Sequence, residues 1–119
     1  MKKTLIIGAS TNPERYSFIA AQRLTSHGHP IIMLGLKEGT VANNPILTGK
    51  PTFSDIDTIT LYIGPQNQHE WYDYVVAIKP KRVIFNPGTE NVEFETLLEK
   101  NGIEAQEACT LVLLSIGAY

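Results

Sequence analysis

The chain has 119 residues, enough for a single domain over residues 1–119 and too few for two. Lys plus Arg number 10 against 12 for Asp plus Glu, a formal charge of −2, which argues against general attraction to nucleic acid or to an anionic membrane surface. The 43% apolar content suits a chain that buries a core, and the single cysteine, Cys109, excludes an internal disulfide and a multi-cysteine metal site.

Such sparing cysteine use fits a reducing compartment. The run Leu5-Ile6-Ile7 is too short for a secretory signal, and no segment approaches the roughly 20 apolar residues of a membrane span. A cytoplasmic protein is expected.

Short apolar runs alternate with helical patterns. Residues 4–7 form a continuous apolar run that stops at Gly8, as a buried parallel strand would. Tyr16, Ile19, Ala20 and Leu24 follow at helical spacing, with Gly28 as a natural stop and Pro30 preventing continuation. Residues 31–34 read as the second strand, 35–45 as loop, and 46–51 as a short edge strand. Residues 58–63 are rich in β-branched side chains and end at Gly64-Pro65, so they read as the next core strand.

Asn67 with Glu70 three residues on resembles a capping box. Behind it Trp71, Tyr74, Val75 and Ile78 mark one helix face, closed by Pro80. Residues 83–85 predict another strand, ending at Asn86-Pro87-Gly88. Phe94, Leu97 and Leu98 mark a further helix, with Asn91 as N-cap and Gly102 as stop. Residues 103–105 read as the last strand and 109–114 as a short terminal helix.

This β-α-β-β-α-β-α-β order predicts an α/β fold, a three-layer, doubly wound, mostly parallel sheet with helices on both faces. Ligands of such folds lie beyond the carboxyl ends of the strands, where strand order reverses. The polar, glycine-rich junctions at residues 8–10, 35–37, 64–67 and 86–91 all fall at those ends, which points to a nucleotide-like ligand.

The first of these junctions carries the most chemistry. Gly8 permits a tight turn and close backbone approach, and Ala9 continues it. Ser10, Thr11, Asn12 and Ser17 offer hydroxyl and amide groups, and Arg15 offers a fork suited to phosphate. A helix N-terminus follows, with free N–H groups and a positive dipole end. These residues describe a phosphate cradle or, equally, an ordinary strand-to-helix turn with capping serines. The G-x-G-x-x-G dinucleotide fingerprint is absent. At the end of strand two an acidic residue would serve NAD, but Leu34-Gly35-Leu36-Lys37 meets a positive charge first, with Glu38 next. Lys37 suits a nucleotide with an extra ribose phosphate, or is a solvated loop lysine.

The sequence resembles the small CoA-binding proteins, stand-alone relatives of the CoA-binding domain of succinyl-CoA synthetase α subunits. The resemblance runs over nearly the whole chain. It is carried by Gly8-Ala9-Ser10-x-x-Pro13-x-Arg15-Tyr16-Ser17, by Gly28-His29-Pro30-Ile31 and Pro80-Lys81-Arg82-Val83, and by Asn86-Pro87-Gly88-Thr89-Glu90-Asn91. Gly102-Ile103-Glu104 and Ala108-Cys109-Thr110-Leu111-Val112 complete it. It implies a Rossmann-like fold that binds coenzyme A or acyl-CoA. By position it implies the pyrophosphate on Ser10, Asn12 and Arg15, the adenosine near Leu36 and Lys37, and the pantetheine arm bordered by Ile63, Gly64 and Pro65 and by Asn86, Pro87 and Gly88. Many relatives carry Asn-Pro and then a basic residue after strand two, where this chain has Gly35-Leu36-Lys37.

Other reactive side chains have ordinary explanations. His27 and His29 flank Gly28 at a helix end, where the dipole favours them, and His69, in the first turn of a helix at the ligand edge, reads as a surface residue or a ligand contact. Glu90, Glu93 and Glu95 lie near a helix N-terminus that stabilises them without chemistry. Trp71 and Tyr74 read as core. No zinc pattern or catalytic triad spacing appears. A non-catalytic CoA-binding carrier or regulatory module is the expected function. The alternatives are a small acyl-CoA- or NAD(P)-dependent enzyme or enzyme subunit, or an assembly domain with a vestigial site. A homo-oligomer or a partner subunit is compatible with either. Cys109, opening the last helix, is a candidate reactive thiol that could form a mixed disulfide with the coenzyme, or a buried apolar residue.

Overall fold

The first apolar run forms strand β1 (Thr4–Ala9), whose Leu5 and Ile7 join one core and whose Ile6 and Ala9 join another. Alternate side chains of a strand point to opposite faces, so a strand apolar throughout needs cover on both. The computed structural model describes all 119 residues and supplies that cover. After β1 come α1 (Tyr16–Ser26), β2 (Ile31–Gly35), β3 (Gly39–Val41), β4 (Asn44–Leu47), β5 (Thr58–Leu61), α2 (Tyr72–Ile78), β6 (Arg82–Phe85), α3 (Val92–Lys100), β7 (Glu104–Glu107) and α4 (Thr110–Ser115).

The strands make one seven-stranded sheet in the order β3-β4-β2-β1-β5-β6-β7. Neighbours are parallel except the antiparallel pair β3–β4. Ala21 and Leu24 of α1 pack with Leu113 and Leu114 of α4 on one face; Val75 and Ile78 of α2 pack with Phe94 and Leu98 of α3 on the other. This is the three-layer, doubly wound Rossmann-like α/β fold expected from the sequence. The chain leaves β1 towards β2 on one side and later enters β5 on the other, so strand order reverses between β1 and β5. No helix is long and apolar enough to cross a membrane.

Phe94 anchors the α3 face. It is fully buried, stacks on Tyr72 at 4.3 Å between centroids, and meets Phe85 edge-on at 5.6 Å. Its helix begins as the sequence suggests: the Asn91 side chain accepts from the Phe94 N–H at 3.2 Å, and Glu95 Oε2 accepts from the Asn91 N–H at 3.0 Å.

Three elements differ from the sequence reading. Residues 35–45 are not all loop: β3 and β4 form a hairpin whose turn residues Ala42 and Asn43 have φ of 52° and 63°. A two-residue turn with both φ positive matches strand twist, but it carries no glycine here to announce it. Consequently β4 is not the edge strand, because β3 covers its outer side. The capping box at Asn67 does not form. Two short 3-10 turns, Pro65–Asn67 and His69–Trp71, lead into α2, and no side chain caps them. Tyr16, placed on the apolar face of α1 by spacing, is 70% exposed, while neighbouring Ser17 is buried.

Candidate functional site

Gly8 makes the site possible. Its φ is +96°, and a Cβ there would lie 2.9 Å from Ile63 Cγ2 and 3.0 Å from the Tyr62 main chain. Only glycine lets the end of β1 pass so close to the end of β5. The β1–β2 register shifts between Ile7 and Ala9, so Ala9 pairs with Gly35. A Cβ on Gly35 would lie 2.5 Å from the Ala9 oxygen, and one on Gly39 would collide with the Thr11 side chain. The hairpin therefore leans directly on the loop after β1.

A cavity of about 740 Å³ opens at the carboxyl ends of β1, β2, β5 and β6. The β1–α1 junction contributes Gly8, Ala9, Ser10, Thr11, Arg15, Tyr16 and Ser17, and the loop after β2 contributes Leu36 and Lys37. Tyr62, Ile63, Gly64 and Asn67 line the β5 side, and Pro87, Gly88 and Thr89 the β6 side. Its size falls within the usual range for small-molecule sites.

The electrostatics of this lining favour an anion. Arg15 and Lys37 are its two cations, no carboxylate lines it, and neither cation joins an ion pair. The first turn of α1 holds no acidic residue and no side-chain cap. Phe18 and Ile19 donate to the Arg15 oxygen at 3.1 and 3.3 Å, which leaves the Tyr16 and Ser17 N–H groups without an acceptor in the protein. Ser17 is 4% exposed, and its hydroxyl has no protein partner either. Uncapped N–H groups, a positive dipole end and two cations converge on one space. Burial pushes the Tyr62 phenol up to about 12, against the opposing pull of the Thr110 and Thr60 hydroxyls, so Tyr62 is a neutral wall at ordinary pH.

The structure thus brings Gly8, Ala9, Ser10, Arg15, Ser17, Lys37, Gly64, Pro87 and Gly88 around one cavity. Four residues named from the sequence lie outside the lining. Asn12 shapes the loop: its N–H donates to Ser10 Oγ and its Oδ1 accepts from the Glu14 N–H, both at 3.0 Å. Pro65 opens the 3-10 turn after Gly64. Asn86 is 3% exposed and spends its side chain on internal partners. Its Nδ2 donates to Thr60 Oγ1 at 2.7 Å and the Leu61 oxygen at 2.8 Å, and its Oδ1 accepts from the Thr110 N–H at 2.9 Å. Cys109 is half-buried at the N-cap of α4, where its side chain makes no cap hydrogen bond.

Tyr62 lines the cavity although it falls inside the strand read over residues 58–63, and Asn67 and Thr89 line it from within the junctions at 64–67 and 86–91, where the sequence assigns neither side chain a ligand role. Glu90, Glu93, Glu95, His27, His29 and His69 all lie outside the cavity lining. His27 bonds the Arg23 oxygen at the end of α1, at 2.8 Å, as the dipole argument expects. His29 instead accepts the Lys2 N–H at 3.0 Å and packs its ring 4.8 Å from Tyr119. Trp71 and Tyr74 are half-buried and meet edge-on at 5.5 Å.

The CoA binding domain family matches residues 2–115. A crystal structure of an uncharacterized protein is 54% identical, with a TM-score of 0.98 over 100% of this chain and 98% of that one. A conserved hypothetical protein from Pyrococcus furiosus is 25% identical, with a TM-score of 0.77 over 89% of this chain and 92% of that one. A Thermus thermophilus protein at 18% identity shares the fold, with a TM-score of 0.86 over 99% of this chain and 90% of that one. No curated protein matches the chain. With the fold in place and the family match spanning almost all of its length, the chain belongs to the CoA-binding domain family.

Proposed function

We propose that the protein binds coenzyme A or an acyl-CoA across the cavity at the carboxyl edge of its sheet, as a carrier or regulatory module. One observation carries the reading: in a chain of formal charge −2, this cavity is lined by two unpaired cations and no carboxylate. The pyrophosphate takes the Tyr16 and Ser17 N–H groups, the hydroxyls of Ser10 and Ser17, and Arg15. Lys37 takes the ribose 3′-phosphate. The pantetheine arm runs past Ile63 and Gly64 on one side and Pro87 and Gly88 on the other. In this reading Asn12 and Asn86 shape the loops and do not touch the ligand. Binding is favoured over turnover because no imidazole, thiol or carboxylate lines the cavity, and these are the commonest acid–base and nucleophilic groups.

Calorimetry with coenzyme A, 3′-dephospho-coenzyme A and NAD tests the proposal. Coenzyme A should bind most tightly, and removing the 3′-phosphate should weaken binding by about 1.5–3 kcal/mol, the scale of a charge-assisted hydrogen bond. Tighter binding of NAD, or no loss on removing the 3′-phosphate, would overturn the role given to Lys37 and the choice of coenzyme.

A further inference from the structure

Gln68 is fully buried, and both polar atoms of its side chain are engaged. Its Nε2 donates to the main-chain oxygens of Ile63 at 2.9 Å and Thr89 at 2.8 Å, and its Oε1 accepts from Asn91 Nδ2 at 2.9 Å. Ile63 belongs to the cavity wall that follows β5, and Thr89 to the wall that follows β6. No main-chain hydrogen bond joins residues 62–67 to residues 86–89. One side-chain amide spans the gap.

The chemistry of this position is narrow. An amide NH₂ carries two protons on one atom, so it can satisfy two carbonyls at once while its oxygen serves a third partner. An apolar residue would leave both carbonyls unpaired, and a carboxylate would set an acceptor against acceptors. Gln68, which itself stays out of the cavity, thus sets the separation of the two walls beyond the strand ends, where the Asn86 amide ties the end of β6 to the Leu61 oxygen. A site whose walls are fixed before the ligand arrives loses less entropy on binding.

We infer that Gln68 is a positioning residue for the pantetheine side of the site, holding the loops after β5 and β6 at the spacing the coenzyme arm requires. The inference rests on the coenzyme reading above. Gln68 is remote in role from Arg15 and Lys37, which serve the phosphates. Its loss should therefore be felt by a ligand with a pantetheine arm and not by one without.

The test measures coenzyme A and adenosine 3′,5′-bisphosphate binding to wild type, Gln68→Met and Gln68→Glu, with thermal melts of each unliganded protein. In the variants, coenzyme A affinity should fall roughly tenfold, the scale of ordering one or two freed groups on binding, while the bisphosphate binds as before. Equal losses for both ligands, or no loss for either, would overturn the positioning role. So would failure of both variants to fold, which would make Gln68 a residue of the core. A wild type that binds neither probe would overturn the coenzyme reading itself, and this role with it.

Discussion

The Asn86 side-chain oxygen accepts the Thr110 N–H at 2.9 Å and so ties the end of β6 to the start of α4. The same side chain donates to Thr60 and to the Leu61 oxygen, inside a region where Thr60 and Thr110 are fully buried. Replacing it by alanine strands the Thr110 N–H and takes a donor from the Leu61 oxygen, while Thr60 Oγ1 keeps its 2.9 Å bond to the Thr110 hydroxyl. Asn86→Ala should lower unfolding free energy by about 2–4 kcal/mol, the cost of leaving buried polar groups unpaired. Urea denaturation reads this directly, and a loss under about 0.5 kcal/mol, the size of an ordinary surface substitution, would show that water replaces the amide.

Arg15 gives the opposite pattern. It is exposed, joins no ion pair, and supplies only main-chain groups to its neighbours. Arg15→Ala should leave the melting temperature nearly unchanged and weaken coenzyme A binding by about 1.5–3 kcal/mol, as for a hydrogen bond to a charged group. A melting temperature that collapses while affinity per folded molecule holds would make Arg15 structural.

Much of this arrangement is legible in the residues themselves. Apolar runs of β-branched and aliphatic side chains mark β1, β2, β5 and β6, and the glycine and polar clusters after them mark the ligand edge. Asn91 is legible as a cap because a capping side chain acts locally. The β3–β4 hairpin is hidden because its turn uses Ala42 and Asn43 in place of the usual glycine. Gln68 is hidden for a different reason. A buried polar residue satisfied by distant partners leaves no periodic trace, and its neighbours Asn67 and Glu70 imitate a cap that the chain does not form. Tyr16 falls at helical spacing, yet its position opens α1 at the cavity, so spacing alone misassigns its surroundings.

Cys109 offers a check on α4. It occupies the N-cap with extended φ/ψ and no side-chain bond to the helix. Serine is a strong N-cap and nearly isosteric, so Cys109→Ser should stabilise the fold by about 0.5–1 kcal/mol. Since Cys109 is outside the cavity lining, coenzyme A affinity should not change. Thermal melts and calorimetry on the same preparation check both. Intact-mass spectrometry after exposure to coenzyme A disulfide tests the thiol itself, and an adduct lost in Cys109→Ser would give it a role as a redox cap.

His29 sets an acid limit. Burial lowers its pKa first, helped by the positive charges of the amino terminus, His27, Lys2 and Arg82. Its neutral Nδ1 accepts the Lys2 N–H. A histidine whose folded pKa lies below its unfolded value binds fewer protons in the native state, so it favours unfolding as acid is added. Its penalty is absent well above pH 6.5, the ordinary histidine value, and grows as pH falls through that value towards the lower folded one. His29→Asn, which keeps an acceptor near the same place, should flatten the acid side of the melting profile relative to wild type. Parallel profiles for the two proteins would show that His29 does not set the acid limit.

Amide NMR of the labelled protein during titration with coenzyme A locates the coenzyme on the fold. The largest shifts should fall on Tyr16, Ser17, Lys37, Gly64 and Gly88, with the outer faces of α2 and α3 little changed. Shifts confined to those outer faces, or no shifts at saturating coenzyme A, would contradict that location.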